Sequence, residues 1–511
     1  MSLNLKNVSL VSFYTILSRL LGFARDMFFT AYFGTSAIFE AFIAAFQIPN
    51  FFRLVLGEGA MHGAIIPVYT EVRKRDGEKE AQKLASGLIF VLTFIFLGLI
   101  ILVNLFTPQV AKIFVPGFSE SPLQFAFTVL FLKIMFPYLL FIGLAALTMA
   151  FLNTGGRYAV PAFAPCLLNI AHIVYMLFIL RMIPAEMLKW TMLAFTVIIG
   201  GAMQLFLQYY WYRRCGFRLL PVIWHPEMTK ILKLFIPTAL IFGTAQFNLL
   251  ISRAIASFLP TGSITYLYYA NRVLQLPLGI FSIAIVTVSL PSFSEASIAS
   301  GKDDIVKRLR GSLLLILYLI IPATLVLYIL PLDIISFIFE RGRFDHASAV
   351  STAGALKYYA AGLFFFSVNR LLQSVYYAYK NTSTPLSIAI FTLIFNVALN
   401  LSLMISMKHC GLALANSLAG AFQCLLLCCF LHRLLPAGRV LSGLKPFLPS
   451  LVLANFVLVL ILKYAGVYAS GLANHWRLII ILSLGGCGYL AAGHFTGLIR
   501  GIRKCIGECG R

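Results

Sequence analysis

Six charged side chains interrupt a stretch that is otherwise almost entirely apolar. Arg19, Arg25, Asp26, Glu40, Arg53 and Glu58 all fall between Ser18 and Glu71. An arginine at mid-bilayer costs roughly 2.5–3.5 kcal/mol, so three sum to about 10 kcal/mol unless something solvates them. Such residues either snorkel to the headgroups from helix ends or face a water-filled cavity or a partner. Snorkelling competes most strongly at Arg19, nearest the N-terminus, and less at Arg25 and Arg53. Guanidinium groups sheltered in this way suit one task above others, holding an anion away from bulk water. The carboxylates Asp26, Glu40 and Glu58 read more simply as counter-ions to these arginines than as acid–base catalysts.

Spacing supports this. Positions seven apart nearly eclipse on a helix. Ser18 therefore lies above Arg25 and Arg19 above Asp26, with Gly22 between them to permit a bend. In Gln47-Ile48-Pro49-Asn50-Phe51-Phe52-Arg53, Pro49 removes a backbone donor and frees carbonyls near Arg53. A second group lies further on, Tyr268-Tyr269-Ala270-Asn271-Arg272 ahead of Gln275-Leu276-Pro277. Arg272 reads as a cavity residue. Arg253 lies near a helix end before Pro260, and the cavity and headgroup readings are balanced there. Of Lys357 and Arg370 in a later helix, Arg370 is placed to snorkel.

Other chemistries find no support. No Walker A loop is present. Gly57-x-Gly59 in an apolar context reads as close helix packing. His62 and His172 stand alone and read as buried hydrogen-bonding residues. Of nine cysteines, Cys166, Cys424, Cys428, Cys429 and Cys487 read as small core residues. Cys505 and Cys509 lie in a basic tail with no histidine cluster to suggest a metal.

The elements that must carry these residues are membrane helices. The 511 residues are 60% hydrophobic and 11% charged, with mean hydropathy +0.92. A soluble domain is nearer about 25% charged. Apolar runs long enough to span occur at about 9–33, 38–70, 85–107, 122–152, 158–181, 190–212, 229–258, 262–295, 311–338, 348–379, 385–407, 410–434, 446–465 and 475–498. The fold expected is an all-α polytopic membrane protein of about fourteen transmembrane helices. The first run lacks a small-residue cleavage site and so does not read as a signal peptide.

Lys+Arg outnumber Asp+Glu by 40 to 17. No soluble basic domain exists to bind nucleic acid, and the excess suits cytoplasmic loops facing anionic lipid. Alternate loops hold the basic residues: 73–83, Arg157, 213–230, 302–310, Lys380, 433–445 and the tail from Arg500. Both termini are therefore expected to be cytoplasmic.

A shift of 228 residues superposes Arg25 on Arg253, Gly34 on Gly262, Gln47 on Gln275, Pro49 on Pro277 and Asn153-Thr154 on Asn381-Thr382. The common offset predicts two six-helix halves in parallel orientation, 1–218 and 219–436. The segment 437–511 adds two helices and a basic cytoplasmic tail. Transporters built from such repeats bind near the repeat interface and rock one half against the other.

The groups Ser18-Arg19-Leu20-Leu21-Gly22-Phe23-Ala24-Arg25-Asp26, Pro49-Asn50-Phe51-Phe52-Arg53, Glu58-Gly59-Ala60 and Tyr268-Tyr269-Ala270-Asn271-Arg272 resemble the MurJ (MviN) family of bacterial lipid II flippases. The resemblance covers essentially the whole chain. The repeat and Asn381-Thr382-x-x-Pro385 also resemble the wider superfamily of multidrug and oligosaccharidyl-lipid exporters. The resemblance implies a non-enzymatic transporter of the bacterial cytoplasmic membrane. It would move undecaprenyl-diphosphate-linked disaccharide pentapeptide to the outer leaflet for cell wall synthesis, as a monomer among membrane lipids. It implies substrate contacts at Arg19, Arg25, Arg53 and Arg272, with Ser18, Asp26, Glu40, Asn50, Glu58 and Asn271 in support, and a prenyl-tail groove on the last two helices. No cofactor is expected.

Two departures matter. Glu40 stands where the family leads one to expect aspartate. Where some members bind sodium, this chain offers Gln246, Asn248, Asn396 and Asn400 but no acid in the seventh helix, which leaves sodium coupling in doubt. Charge signs suit drive by membrane potential instead. The alternatives are export of another polyprenyl-diphosphate sugar or a multidrug exporter of this fold. A membrane glycosyltransferase or phosphatase would want an acidic cluster in a large loop, which is lacking.

Overall fold

The computed structural model describes residues 5–55, 61–299, 301–468 and 474–500, and every regular element among them is helical. Ten of these helices are long and apolar enough to cross a membrane. Many present lipid-sized apolar surface, such as Phe94, Ile101 and Leu105 along one helix. The chain is an all-α, multi-pass membrane protein.

Two compact units divide it. The first comprises residues 1–262 with Arg341–Arg343. It contains α1 (Leu5–Phe33), α2 (Ala37–Phe52), α3 (Met61–Arg75), α4 (Glu78–Leu105), α5 (Thr107–Phe114), α6 (Pro122–Met135), α7 (Tyr138–Thr154), α8 (Ala159–Val174), α9 (Glu186–Arg214) and α10 (Met228–Ala256). Helix α1 packs on α8, α8 and α7 on α9, α2 on α6, α4 on α7, and α3 on α10. Small residues let these helices approach, as membrane interfaces require. A Cβ on Gly200 would meet the Leu168 backbone at 2.9 Å, and one on Gly201 would meet the Tyr138 ring at 2.5 Å.

The second unit comprises 263–340 and 344–511. Its helices are α11 (Ser263–Pro277), α12 (Ile283–Ala299), α13 (Lys302–Ile329), α14 (Pro331–Phe339), α15 (His346–Ala378), α16 (Ser383–Leu431), α17 (Ala437–Leu444), α18 (Leu448–Tyr468) and α19 (Asn474–Phe495). The 33-residue α15 is its hub, touching α11, α12, α13, α14 and α16. Side chains tie it to α16 through backbone carbonyls. Ser417 Oγ donates to Tyr358 O at 2.6 Å, Asn369 Nδ2 to Gly420 O at 2.8 Å, and Tyr376 Oη to Leu427 O at 2.8 Å. Helices α18 and α19 pair with each other, and α13 contacts α18.

Several hydropathy runs are broken at prolines that hydropathy alone does not mark. The run expected at 122–152 is two helices that part at Phe136-Pro137, and the run at 311–338 parts at Leu330 between α13 and α14. The run at 262–295 holds a π-helical turn, Leu278–Ser282, directly after Pro277. Proline supplies no N–H to the i→i−4 ladder, and a π turn is one way the backbone absorbs the loss. Related backbone follows Pro49, where residues 53–55 are also π-helical. Likewise Gly77 and Gly301, at φ +88° and +79°, precede α4 and α13.

The polar loops of the first unit are cross-linked by charge. Arg75 bonds both Asp76 and Glu227 at 2.8 Å, and Lys230 reaches Glu71 at 2.6 Å. The Arg75 guanidinium holds the Asp76 and Glu227 carboxyls below the usual range through these hydrogen bonds.

Helix α16 contains one residue that is not helical. Lys408 has φ 51° and ψ −133° and divides the 49-residue element into two, close to the expected 385–407 and 410–434. A lysine in that conformation is strained by roughly 1–3 kcal/mol, whereas glycine is not, although glycine adds unfolded-state freedom of roughly 0.5–1 kcal/mol. Lys408→Gly is therefore expected to raise the thermal midpoint of the detergent-solubilised protein slightly. A clear fall would contradict the turn.

Candidate functional site: an arginine-bearing helix pair

Arg25 and Asp26 sit in the middle of α1, and both are buried, at 7% and 0% exposure. The Arg25 Nε and Nη2 groups donate to the same Asp26 oxygen at 3.0 and 2.7 Å. Adjacent residues on a helix do not normally face each other. Here the long arginine side chain folds back onto its neighbour. The guanidinium also lies 5.4 Å from the centroid of the Phe29 ring, one turn on. That ring stands edge-on to His172 of α8, 5.2 Å away at 88°. The His172 ring is buried and its Nδ1 lies 2.8 Å from Leu168 O. Arg25 is thus held by a carboxylate on one side and an aromatic wall on the other. The counter-ion reading of Asp26 is met at Arg25.

On α2, Arg53 Nε donates to Asn50 Oδ1 at 2.8 Å. Both residues are half-buried. Arg53 begins the π-helical turn, so the proline-disturbed end of α2 is where this second guanidinium emerges. Beside it Phe51, Val55 and Leu250 form a small apolar cluster joining α2 to α10.

Glu40 has a role that spacing did not suggest. It is buried in the first turn of α2, where its Oε2 accepts from Gln124 Nε2 at 3.1 Å and from the Gly262 backbone N–H at 3.0 Å. The carboxylate therefore receives two N–H donors from outside its own helix. These partners lie 84 and 222 positions away in sequence, beyond any periodicity argument.

The remaining residues are less tightly gathered. Ser18 is half-buried, and its carbonyl accepts from Asn169 Nδ2 at 3.2 Å. Arg19 is exposed. Asn271 and Arg272 are half-buried on α11 in the second unit, five residues before Pro277 in the case of Arg272. Glu58 lies outside the described residues, as do Cys505 and Cys509. Phe29, His172 and Gln124 were not singled out as site residues. Only His172 carried a sequence signal, a lone polar ring in an apolar run.

The residues weighed for sodium divide between elements. Gln246 and Asn248 are half-buried on α10. Asn396 and Asn400 are fully buried on α16, where Asn400 Nδ2 donates to Asn396 Oδ1 at 2.8 Å. Among the described residues no group of three or more His, Cys, Asp or Glu converges as metal ligands would.

The chemistry of the arrangement suits holding an anion. Guanidinium groups with part of their donor capacity committed to Asp26 and Asn50 are pre-oriented, which favours bidentate contact with an anionic ligand.

A family model described as "Lipid II flippase MurJ" matches residues 29–484. A probable lipid II flippase from Buchnera aphidicola is 32% identical over 463 residues, covering 90% of this chain and 89% of that protein. One from Haemophilus influenzae is 34% identical over 428 residues, covering 81% and 83%. A solved lipid II flippase in an inward closed conformation is similar with TM-score 0.79 at 27% identity, covering 96% and 98%. An inward-facing multidrug transporter of the MATE family shares the fold, with TM-score 0.63 at 10% identity over 80% and 92%. On the family match and these relatives together, the chain belongs to the MurJ family of lipid II flippases.

Proposed function

We propose that this protein carries lipid II across the bacterial inner membrane for peptidoglycan synthesis by alternating access, and that its guanidinium groups hold the diphosphate. The observation that carries the reading is Arg25, a buried membrane arginine bound to Asp26 at 2.7 Å in a chain of this family. A diphosphate carries about two negative charges, and planar guanidinium forks match its oxygens. Arg25 and Arg53 are the principal contacts in this proposal. Arg19 and Arg272 add positive charge, and Asp26 orients Arg25. Ser18, Asn50, Glu58 and Asn271 support them. Glu40 supports them indirectly, through Gln124 and Gly262.

The finer architecture belongs to the same proposal. It has about fourteen transmembrane helices in two parallel six-helix repeats, 1–218 and 219–436. Two further helices and a tail follow in 437–511, both termini are cytoplasmic, and the protein acts as a monomer. The proline and π-turn pairing at Pro49 and Pro277 supports the repeat. A cationic site disfavours a cationic drug as cargo. Another polyprenyl-diphosphate sugar would satisfy the same arginines and is separated by substrate competition.

Energy enters through charge. An inside-negative potential favours outward movement of an anion by about 2.3 kcal/mol per charge per 100 mV. It also draws the empty, positive site back inward. Potential drive without an obligatory cation follows from these signs.

Four outcomes are expected. Arg25→Ala and Arg53→Ala should each lower lipid II flipping in liposomes at least about tenfold, the equivalent of about 1.4 kcal/mol, with insertion unchanged. Arg25→Lys should recover only part, because lysine keeps the charge and loses the fork. Normal flipping by both alanine variants would refute the site. Asp26→Asn should lower stability by roughly 3–5 kcal/mol by leaving a buried cation without its carboxylate, read as a shift in denaturant midpoint. Flipping should rise when an inside-negative potential is imposed without sodium, and indifference to potential would exclude this drive.

A further inference from the structure

Between α4, α7 and α9 of the first unit lies a cavity of about 330 Å³ that shares no residue with the proposed anion site. Its walls include Phe141 and Leu144 of α7, Leu205, Phe206 and Tyr209 of α9, and Leu219 just beyond α9. Phe206 is 72% exposed, so the cavity reaches the outer surface. Thr148 also lines it, but its hydroxyl is turned onto the Leu144 and Ala145 carbonyls at 3.0 and 2.9 Å. The Tyr209 hydroxyl is then the one polar side-chain group of the wall without a hydrogen-bond partner among the described residues. An apolar cavity of about 150 Å³ already stays dry and takes up benzene. A larger one beside lipid suits a hydrocarbon chain better than water, which would find too few polar partners there.

The end of the cavity at Leu219 is built from fixed parts. The segment 215–223 is pinned along α4. The Leu220 N–H donates to Ser86 Oγ at 2.9 Å, and Gln82 Nε2 donates to Gly216 O at 3.3 Å. A Cβ on Gly87 would stand 3.3 Å from Ile223 O, so α4 carries a glycine where the segment crosses it. Phe217 stacks on Tyr212 of α9, with ring centroids 4.8 Å apart.

Arg213, Arg214 and Arg218 are exposed at this end. Arg213 lies one turn beyond Tyr209 on α9, and Arg218 directly precedes Leu219. The Arg214 guanidinium rests 4.9 Å from the centroid of the Tyr210 ring. No aspartate or glutamate occurs from 187 to 226, and none of the three arginines has a carboxylate partner among the described residues. Neighbouring cations do have one. Arg73 pairs with Glu78, Arg75 with Glu227, Lys83 with Glu80 and Lys230 with Glu71. Uncompensated charge is therefore concentrated at the mouth of the cavity. Trp224, a residue type enriched at headgroup depth, is exposed just beyond the pinned segment. An apolar slot beside three free guanidinium groups fits an amphiphile with a hydrocarbon tail and a phosphate head.

We propose that this cavity holds a resident anionic phospholipid, with one acyl chain between α7 and α9 and its phosphate on Arg213, Arg214 and Arg218. The site lies within one unit and does not depend on what the protein carries.

The test uses the full chain, purified in detergent and mixed with phosphatidylglycerol bearing a photoreactive diazirine in one acyl chain. Labelled peptides are quantified by mass spectrometry. Labelling of 141–148 and 202–209 is expected to exceed labelling around Phe94 and Ile101, on the exposed face of α4, at least about tenfold. Replacing Arg213, Arg214 and Arg218 together by Gln should lower that excess several-fold, and so should a phosphatidylcholine probe with the same chains. Ala202→Phe, which fills the cavity, should remove it. If that variant does not fold, the two lipid probes on the unaltered chain and the arginine variant, changed only at exposed positions, still decide the matter. Uniform labelling of both faces would overturn the cavity as a lipid site. Equal labelling by the two lipids, or by the arginine variant, would overturn the anionic headgroup and with it the proposal. Excess lipid II is expected to leave the labelling unchanged, and displacement by it would assign the cavity to the cargo instead.

Discussion

Arg25 buried against Asp26 is the constraint on which the rest of the structure depends. Burying one arginine in a membrane helix is tolerable only when its donors are satisfied, and here a neighbouring carboxylate, an aromatic ring and the packing of α8 behind that ring do so. The pair costs stability relative to an apolar helix. A ligand with two negative charges would offset that cost, which is a reason for such a chain to keep it. In the proposed site the positive charge is built into the helix and partly masked by Asp26.

Two of the other arginines in the proposed site lie beside disturbed backbone. Pro49 and Pro277 each lead into π-helical backbone, and Arg53 and Arg272 lie within a turn or two of those points. Irregular backbone at membrane depth is tolerated where it is buried in protein or lines a watery cavity. Irregular backbone also occurs at Lys408 and at Tyr175–Ile179, and within each unit the other helices are mostly regular and approach closely through small residues. Glu40 belongs to the frame more than to the ligand, since its carboxylate joins α2 to Gln124 of α6 and to the Gly262 backbone.

Much of this was legible in the sequence, and the exceptions have physical causes. Hydropathy marks a membrane helix because lipid contact demands apolar side chains, so the helical segments and the isolated arginines stand out. The breaks at Phe136-Pro137 and Leu330 do not, because both sides of each break are apolar. The Arg25–Asp26 pair is legible from opposite charge in one apolar segment, which calls for a counter-ion, and not from helix geometry, which sets adjacent residues apart. Nothing local announces that Glu40 accepts from Gly262, or that Phe29 and His172 form a wall beside Arg25, because those partners meet only when distant helices pack. The common offset of Pro49 and Pro277 is what suggests the proposed repeat, which single positions could not.

The most direct measurement is outer-leaflet lipid II cleavage in a bacterium depleted of its own flippase and expressing this chain. The account requires cleavage to be restored by the chain and lost again with Arg25→Ala at equal membrane abundance. Well-inserted protein that leaves cleavage unrestored in a host whose lipid II competes for binding would contradict it, as would full restoration by the Arg25→Ala variant.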